Sequence, residues 1–298
     1  MLLNYYKGQN FGDALNPIIF EKLLPGFFDN DPSVEFSAIG SIIGLPMNPL
    51  AKRRIIFSSG FAYGSLPKID ETFDIVCVRG PLTAQILKLD KSKAITDGAI
   101  LLHALKPTQQ QKKHKYSFMP HWESELKYPW AELCNEADIN YISPTLSPEL
   151  VITEIQQSQF IIAEAMHAAI VADTLRVPWL AVKAYNGINE FKWNDWTKSV
   201  NLSYSPEKIA SMYTSNDFIV KVFNEKSPIT LPGTVVKFGM IGYETAQNIF
   251  LKKSTINQLK KLKIGNYQLS TESIFTSRFD QILNKLYETK EHYTTSLV

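Results

Sequence analysis

Several side chains that can transfer protons or bind anions stand where an apolar run of the sequence gives way to a helical pattern. A histidine titrates near neutral pH, a carboxyl group changes its pKa with burial, and a guanidinium binds carboxylate or phosphate through paired hydrogen bonds. As a set, these residues predict an anion-binding site that contains titratable groups. They are Asn10, Asp13, Arg79, Asp97, His121, Ser143, Glu164 and His167.

The elements that must position these residues alternate between strands and helices. The apolar runs FDIVCV and FIIAE, for example, are followed by the helical patterns PLTAQILKL and MHAAIVADTL. Such alternation predicts βαβ units and a parallel sheet covered on both faces. Ligands bind such sheets outside the carboxyl ends of the strands, where helix N-termini offer free N–H groups. The candidate residues fall at these predicted ends.

The alternation divides into two series. The polar stretch KPTQQQKKHK, residues 106–115, predicts a linker, with Rossmann-like domains at 1–112 and 113–204. Residues 205–298 predict an accessory helical tail, with helices in SPEKIASMY, YETAQNIFLKK and STESIFTSRFDQILNKLYETK. Ser205, Ser270 or Thr271 are the predicted N-caps.

Composition limits the classes of protein. Of 298 residues, 45% are hydrophobic and 20% are charged, and no run approaches the roughly 20 apolar residues of a membrane span. The N-terminal stretch lacks the features of a secretory signal, which predicts a cytoplasmic protein. Two cysteines without a CxxC pair indicate neither a disulfide framework nor a zinc site. Lysines within 252–263 predict either an anionic membrane or phosphate-rich partner, or simply a solvated helix face.

Several signatures are absent. The sequence has no GxGxxG after its first strand, no GxxxxGK[ST], no GxSxG and no DxD-type pair. The pattern therefore favours a metal-independent reaction on an anionic small molecule. Each candidate also has a structural interpretation. Asp13 and Asp97 are suited to capping helices, His167 to a structural hydrogen bond, and Arg79 to a surface ion pair.

Six stretches of the sequence together resemble the polysaccharide pyruvyl transferase family, in its succinoglycan-type branch. They are NFGDALNPII (10–19), VRGPLTAQIL (78–87), TDGAILL (96–102), PHWES (120–124), AEAMHAAIVADTLRVPW (163–179) and NEFKWNDW (189–196). The resemblance implies transfer of the carboxyvinyl part of phosphoenolpyruvate to sugar hydroxyls of a polysaccharide repeat unit. It also implies a glycosyltransferase-B-like arrangement of the two Rossmann-like domains. The implied acceptor is lipid-linked, at the inner face of the cell membrane.

The resemblance places the family's functional histidine at His167 and its first-domain arginine at Arg79. Many members have Ser-x-Arg-x-His before this helix, whereas Ala165 stands at the arginine position here. Phosphate contacts are therefore expected from Arg79, Lys183 and helix N-terminal amides, with Ser143 also on the donor side. Phosphoenolpyruvate is the expected donor substrate, with no cofactor, no metal and no nucleic-acid partner.

The remaining roles follow from side-chain chemistry. His167 or His121 is expected to shuttle protons, and Glu164 to serve as acid or base. Asp13 and Asn10 are expected to hold sugar hydroxyls, and Trp193 to stack on a sugar face, although core packing is its alternative role. Two other functions stay open: a nucleotide-sugar glycosyltransferase of the same shape, and a non-catalytic scaffold that binds through 252–263.

Overall fold

A computed structural model describes residues 1–8, 10–46, 48–210 and 251–295 of the chain. Its strands form two parallel sheets, one built from strands before residue 112 and one from strands after it. Helices follow most of the strands. The α/β class with parallel sheets is therefore as the sequence predicts.

The first sheet has four parallel strands in the order β1-β2-β3-β4. The strands are β1 (Leu2–Asn4), β2 (Val34–Ser37), β3 (Arg53–Phe57) and β4 (Phe73–Cys77). Helix α1 (Phe11–Leu23) follows β1, and α2 (Pro81–Ile86) follows β4. A proline starts α2 because its fixed φ suits a helix and its missing N–H would have no helical acceptor. Two 3₁₀ helices, Lys91–Lys93 and Gly98–Leu105, complete this half.

Three phenylalanines form the centre of the first half. Phe36 of β2 stacks on Phe57 of β3 with ring centroids 5.4 Å apart, and Phe20 of α1 meets both rings edge-on. All three are fully buried. Burial of each such side chain stabilises the fold by roughly 1.5–3 kcal/mol, so this cluster holds α1 against the sheet.

The second sheet has five parallel strands in the order β6-β5-β7-β8-β9. The strands are β5 (His114–Met119), β6 (Asn140–Tyr141), β7 (Ser158–Ala163), β8 (Trp179–Lys183) and β9 (Glu207–Lys208). The helices between them are α3 (Trp122–Glu125), α4 (Trp130–Glu136), α5 (Pro148–Gln157) and α6 (Met166–Thr174). The chain leaves β5 and β7 toward opposite sides, so a crevice opens between their carboxyl ends.

Two later helices return to the first half. Helix α7 (Glu190–Ser199) follows β8 but packs on α2. Helix α9 (Glu272–Thr295) packs on the 3₁₀ helix Gly98–Leu105. Near the end of α9, Tyr293 donates a hydrogen bond to Asp74 at 2.6 Å and accepts one from Arg53 at 3.2 Å. The two halves are thus joined by more than the linker.

Helix α8, described over 251–262, packs on the second half of the chain. Its buried Ile256 and Leu259 share a core with Phe118 and Trp130. The predicted start of α9 is confirmed, because Thr271 Oγ1 accepts a hydrogen bond from the Ile274 N–H at 3.4 Å.

Other predicted elements differ. In SPEKIASMY, residues 205–210 contain β9 instead of a helix, because the backbone at Glu207 and Lys208 pairs with the edge of β8. The rest of that segment, and 243–250 of YETAQNIFLKK, lie outside the described residues. The apolar run KAIT (93–96), which also precedes a helical pattern and so predicts a strand, forms only an isolated bridge, Ala94 to Val78. GAILLHAL is a 3₁₀ helix, and β2 and β3 had no predicted counterpart.

Candidate active site

A cleft lies between the two sheets, at the carboxyl ends of strands from both. It consists of two adjoining cavities, the larger with a volume of about 300 Å³. We define the cleft by the residues that line both cavities. They are Asn10, His121, Trp122, His167 and Lys192. Three of the predicted candidates, Asn10, His121 and His167, therefore line one cleft.

His167 lies in the first turn of α6, directly after β7. Its Nε2 faces Asp97 Oδ2 at 3.7 Å, and neither atom has a hydrogen-bond partner among the described residues. The other oxygen, Asp97 Oδ1, accepts a hydrogen bond from the Ala99 N–H at 3.0 Å. Asp97 therefore caps a 3₁₀ helix, as its structural interpretation predicts, and also presents a carboxylate to the imidazole.

The environment keeps Asp97 ionised. Burial acts to raise the pKa of Asp97, but interaction with His167, and more distantly with Arg79, holds the pKa below its usual value. Asp97 is fully buried, and the His167 side chain is 13% exposed. An imidazole oriented by a buried carboxylate, with its rim open to a cleft, is suited to accept and return a proton.

Asp13 is the second titratable group of the cleft. Burial raises the pKa of Asp13 to about 6, with a further rise from Asp97, while the charges of His167 and Lys192 oppose the rise. The prediction that Asp13 is an N-cap is wrong. Asn10 caps α1 instead, with its Oδ1 accepting the Gly12 N–H at 3.0 Å, because Asp13 already lies in the first helical turn. Its carboxylate lines the larger cavity.

Two glycines make room for these groups. A Cβ on Gly12 would overlap the imidazole of His167, with Nδ1 as the nearest atom. A Cβ on Gly40 would lie 2.7 Å from Asp13 Oδ1, and Gly40 has φ +129°, which residues with side chains rarely adopt. The close approach of both functional groups to the backbone thus depends on missing side chains.

Arg79 is fully buried beneath the cleft. Its Nε donates to Asp195 Oδ2 at 3.2 Å, and its Nη1 donates to Ser41 Oγ at 2.6 Å. Asp195 belongs to α7 and also accepts hydrogen bonds from the N–H groups of Leu82 and Thr83, each at 2.9 Å. It therefore caps α2, which has no side-chain cap of its own. Arg79 therefore does form an ion pair, but this pair is fully buried instead of lying at the surface, and it joins the two halves.

Glu164 is also fully buried, at the end of β7. Its two oxygens accept hydrogen bonds from the backbone N–H groups of His121, Ala184 and Tyr185, at 3.0, 2.9 and 2.7 Å. Burial raises the pKa of Glu164, and these hydrogen bonds oppose the rise. The structure places Glu164 behind the cleft, where it holds the loops after β5 and β8.

His121 lines the cleft as an uncharged imidazole. Burial, with a contribution from the charge of Lys192, lowers its pKa to about 4. Its Nδ1 accepts the Glu123 N–H at 3.4 Å and caps α3, and its ring stacks on Tyr185 with centroids 5.8 Å apart.

Comparison with known proteins decides the family. The sequence model of the polysaccharide pyruvyl transferases matches residues 38–185. The succinoglycan biosynthesis protein ExoV of Rhizobium meliloti (strain 1021) is 40% identical over 210 residues, which make up 69% of this chain and 66% of ExoV. This chain belongs to the polysaccharide pyruvyl transferase family. The alignment spans slightly less than two thirds of the length of ExoV.

The part that matches the family model carries most of the predicted site. It includes Arg79, Asp97, His121, Glu164 and His167. Asp13 and the whole of α7 lie outside it. Elements on both sides of the matched segment, α1 with Asp13 before it and α7 after it, therefore complete the cleft.

The other predicted residues lie around this family site. Lys183 ends β8 and pairs with Glu190 at 2.5 Å, and Ser143 bonds with Thr145 at 2.9 Å. Trp193 borders the smaller cavity but is only 1% exposed. Its ring stacks on Tyr204 with centroids 4.9 Å apart, as core packing predicts.

Lys192 was missed as a site residue, although it falls in the NEFKWNDW stretch that resembles the family. It points into the cleft because α7 crosses back to α2, which local sequence patterns do not reveal. Asp195 was missed for the same reason.

No group of three or more His, Cys, Asp or Glu side chains that could hold a metal ion occurs in the described part of the chain. Within that same part, no helix has both the length and the apolar character needed to cross a membrane.

Proposed function

We propose that the chain transfers the pyruvyl group of phosphoenolpyruvate to two hydroxyls of a sugar in a polysaccharide repeat unit, releasing phosphate. The observation that carries this proposal is the meeting of His167, Asp97 and Asp13 in one cleft of a pyruvyl transferase family member. These groups supply proton transfer on both sides of a small anionic substrate. The two halves would then act as the predicted glycosyltransferase-B-like pair.

The bonds of this reaction balance without an oxidant or a further co-reactant. The methylene carbon of phosphoenolpyruvate gains a proton, and a sugar hydroxyl oxygen bonds to the neighbouring carbon as it loses its own proton. The second hydroxyl then bonds to the same carbon while the carbon–oxygen bond to phosphate breaks. The products are a pyruvate ketal and hydrogen phosphate, and the two hydroxyl protons end on the methyl group and on the phosphate.

Asp13 and His167 divide the proton transfers. Asp13, with a pKa of about 6, is suited to protonate the methylene carbon at neutral pH. His167, oriented by Asp97, is suited to accept the hydroxyl proton. His121 is uncharged at this pH and therefore serves the sugar as a hydrogen-bonding group. Glu164 and Arg79 support the cleft from behind through the contacts described above.

The larger cavity suits the acceptor. Its volume of about 300 Å³ is at the lower end of ligand pockets, which fits a single sugar ring. Asn10 offers an amide there, and the half-buried Trp122 offers an indole face on which a sugar ring can stack. Trp122 is better placed for this than the buried Trp193.

The acceptor is proposed to be lipid-linked and reached from the cytoplasmic membrane face. Lys253, Lys260 and Lys261 of α8 are exposed, as is Ile264 just after the helix at 90%, and this basic surface suits contact with anionic lipid. Lys263 nearby pairs with Asp138 at the entrance of a depression of about 760 Å³, at the start of β5. This depression lies at the opposite end of β5 from the cleft, roughly 20 Å away.

Sedimentation with phosphatidylcholine vesicles, with and without phosphatidylserine, tests the membrane contact. Binding only to the anionic vesicles, and its loss in Lys260→Glu/Lys261→Glu, are expected. Binding that is the same for both lipids or both proteins would contradict the membrane contact and leave the transfer reaction untouched.

The activity is tested by phosphate release from phosphoenolpyruvate, with mass spectrometry of a panel of galactoside, glucoside and mannoside acceptors. An acceptor is expected to gain about 70 Da, the mass of pyruvate joined with loss of water, and the gain should vanish in His167→Ala. The gain is also expected in EDTA. Consumption of a nucleotide sugar with no such gain would replace the proposal with a glycosyltransferase.

A further inference from the structure

Lys192 is a cation of the cleft that forms no ion pair with the residues that the structure describes. It lies in the first helical turns of α7 and lines both cavities beside His167 and His121. Its Nζ lies 4.9 Å from the ring centroid of Tyr63. Unlike Lys183, which pairs with Glu190, Lys192 forms no ion pair with any residue in the described ranges.

The surroundings disfavour the charge of Lys192. Burial is the largest cause and Arg79 adds to it, so that the pKa of Lys192 falls to about 8, although Asp13 and Glu123 act in the opposite direction. Burial disfavours the ammonium charge, so a substrate anion that binds beside it stabilises this charge strongly. The attraction between the two charges is stronger where water is excluded.

The two side-chain cations that the sequence predicts on the donor side, Arg79 and Lys183, already have protein partners. The guanidinium of Arg79 is sealed between Asp195, Ser41 and the Phe61 carbonyl. Lys183 is bound to Glu190. This leaves Lys192 as the cation best able to accept a new anion among the residues that the structure describes.

The N-terminus of α6 adds backbone donors to the cavity that Lys192 lines, although the Ala165 N–H already donates to the Met119 carbonyl at 3.3 Å. Helix α6 starts after Ala165, which serves as the N-cap without any side-chain hydrogen bond to the helix. Ala165, Met166 and His167 line the same small cavity as Lys192. The positive end of a helix and an ammonium group thus face one space, an arrangement suited to a phosphate.

We propose that Lys192 binds the phosphate group of the phosphoenolpyruvate donor, together with the N-terminal amides of α6. This inference rests on the proposed function and assigns the donor phosphate to the smaller cavity, with the sugar in the larger one. The ammonium group stays with the phosphate as its bond to carbon breaks, and so stabilises the leaving group.

The test compares Lys192→Met with the wild type. Methionine keeps an unbranched apolar side chain at this position and removes the charge. Calorimetry measures phosphoenolpyruvate binding without turnover, and steady-state assays give separate KM values for donor and acceptor. Donor affinity is expected to fall roughly 10- to 100-fold, as loss of a charge-assisted hydrogen bond implies, with the acceptor KM unchanged. Lys198→Ala, an exposed position on the same helix, is the control and should behave as wild type.

The outcomes separate this inference from the proposed function. Donor affinity within twofold of wild type in Lys192→Met, or an equal rise of both KM values, overturns the role of Lys192 while the pyruvyl transfer stands. A wild-type protein that neither binds phosphoenolpyruvate nor releases phosphate overturns both. Unchanged circular dichroism and melting temperature show that Lys192→Met is folded.

Discussion

The imidazole of His167 occupies the space that a side chain on Gly12 would fill. Gly12 comes from α1 of the first half, and His167 comes from α6 of the second. The position of the proposed base therefore depends on a contact across the boundary between the halves. Gly12 contributes to it by having no Cβ.

Gly12→Ala is expected to abolish most of the activity without unfolding the protein. Alanine favours a helix more than glycine does, but its methyl group must displace the imidazole from Asp97. The loss in kcat/KM should approach that of His167→Ala, roughly 10²- to 10⁴-fold, in the phosphate-release assay.

Gly26→Ala is the matched control. Gly26 has φ +74° and nothing within 4 Å of its added Cβ, so this change should lower stability by about 1–2 kcal/mol and leave activity intact. Near wild-type activity in Gly12→Ala would show that the imidazole position is not required.

Asp13→Asn is expected to stabilise the folded protein at neutral pH while it impairs catalysis. The pKa of Asp13 is about 6 when folded, against an ordinary value of 3.8, so folding favours the protonated carboxyl. The cost of the ionised form is absent below about pH 4 and complete above about pH 6, where it reaches roughly 3 kcal/mol.

Urea unfolding at pH 4 and pH 7.5 checks this expectation. Asparagine removes the ionisation, so the variant should exceed the wild type in free energy of unfolding at pH 7.5, with the difference shrinking toward pH 4. A difference that stays constant, or that grows at low pH, would contradict the raised pKa.

His121→Asn is expected to keep the pH dependence of catalysis. Asparagine is a good helix N-cap and can replace Nδ1 at the start of α3. Because the pKa of His121 is about 4, it is not the group that titrates near neutrality. The pH profile of kcat/KM should still change near pH 6, where Asp13 titrates, and the value of kcat/KM should fall by less than about tenfold. Disappearance of that change would instead make His121 the proton donor.

Asp195→Ala is expected to destabilise the fold strongly. It leaves the fully buried Arg79 without its carboxylate and removes the cap of α2. Breaking a buried ion pair from one side costs about 3–5 kcal/mol. The free energy of unfolding in urea should drop by this amount. Glu288→Ala, which removes an exposed pair with Lys285, is the control and should cost about 0–1 kcal/mol. Equal losses would show that the buried pair has no special role.

The position of several site residues could be predicted because it depends on local order. A residue that follows a strand of a parallel sheet must reach the carboxyl edge, and this rule located His121 and His167, which follow β5 and β7. The α/β class followed from the same alternation. The short strands β2 and β3 were not recognised, since VEFS and RRIIF lack a long apolar run.

Which of the site residues face the cleft and which are enclosed by the protein could not be predicted in the same way. Glu164 and His167 are three residues apart, yet one is enclosed by backbone N–H groups and the other faces the cleft. The exposure of Lys192 to the cleft, and the burial of Asp195 on the same helix, depend on where α7 packs. Such placement results from long-range contacts, which no window of sequence contains.

The attachment of α9 to the first sheet has a consequence for how the protein forms in the cell. Tyr293 and Arg53 are separated by 240 positions, and Phe275 and Phe279 of α9 cover His103. The first half leaves the ribosome long before this cover exists. Until α9 is synthesised, the apolar surface that α9 later covers stays exposed to solvent. Such exposed surface in a nascent chain is a binding site for chaperones.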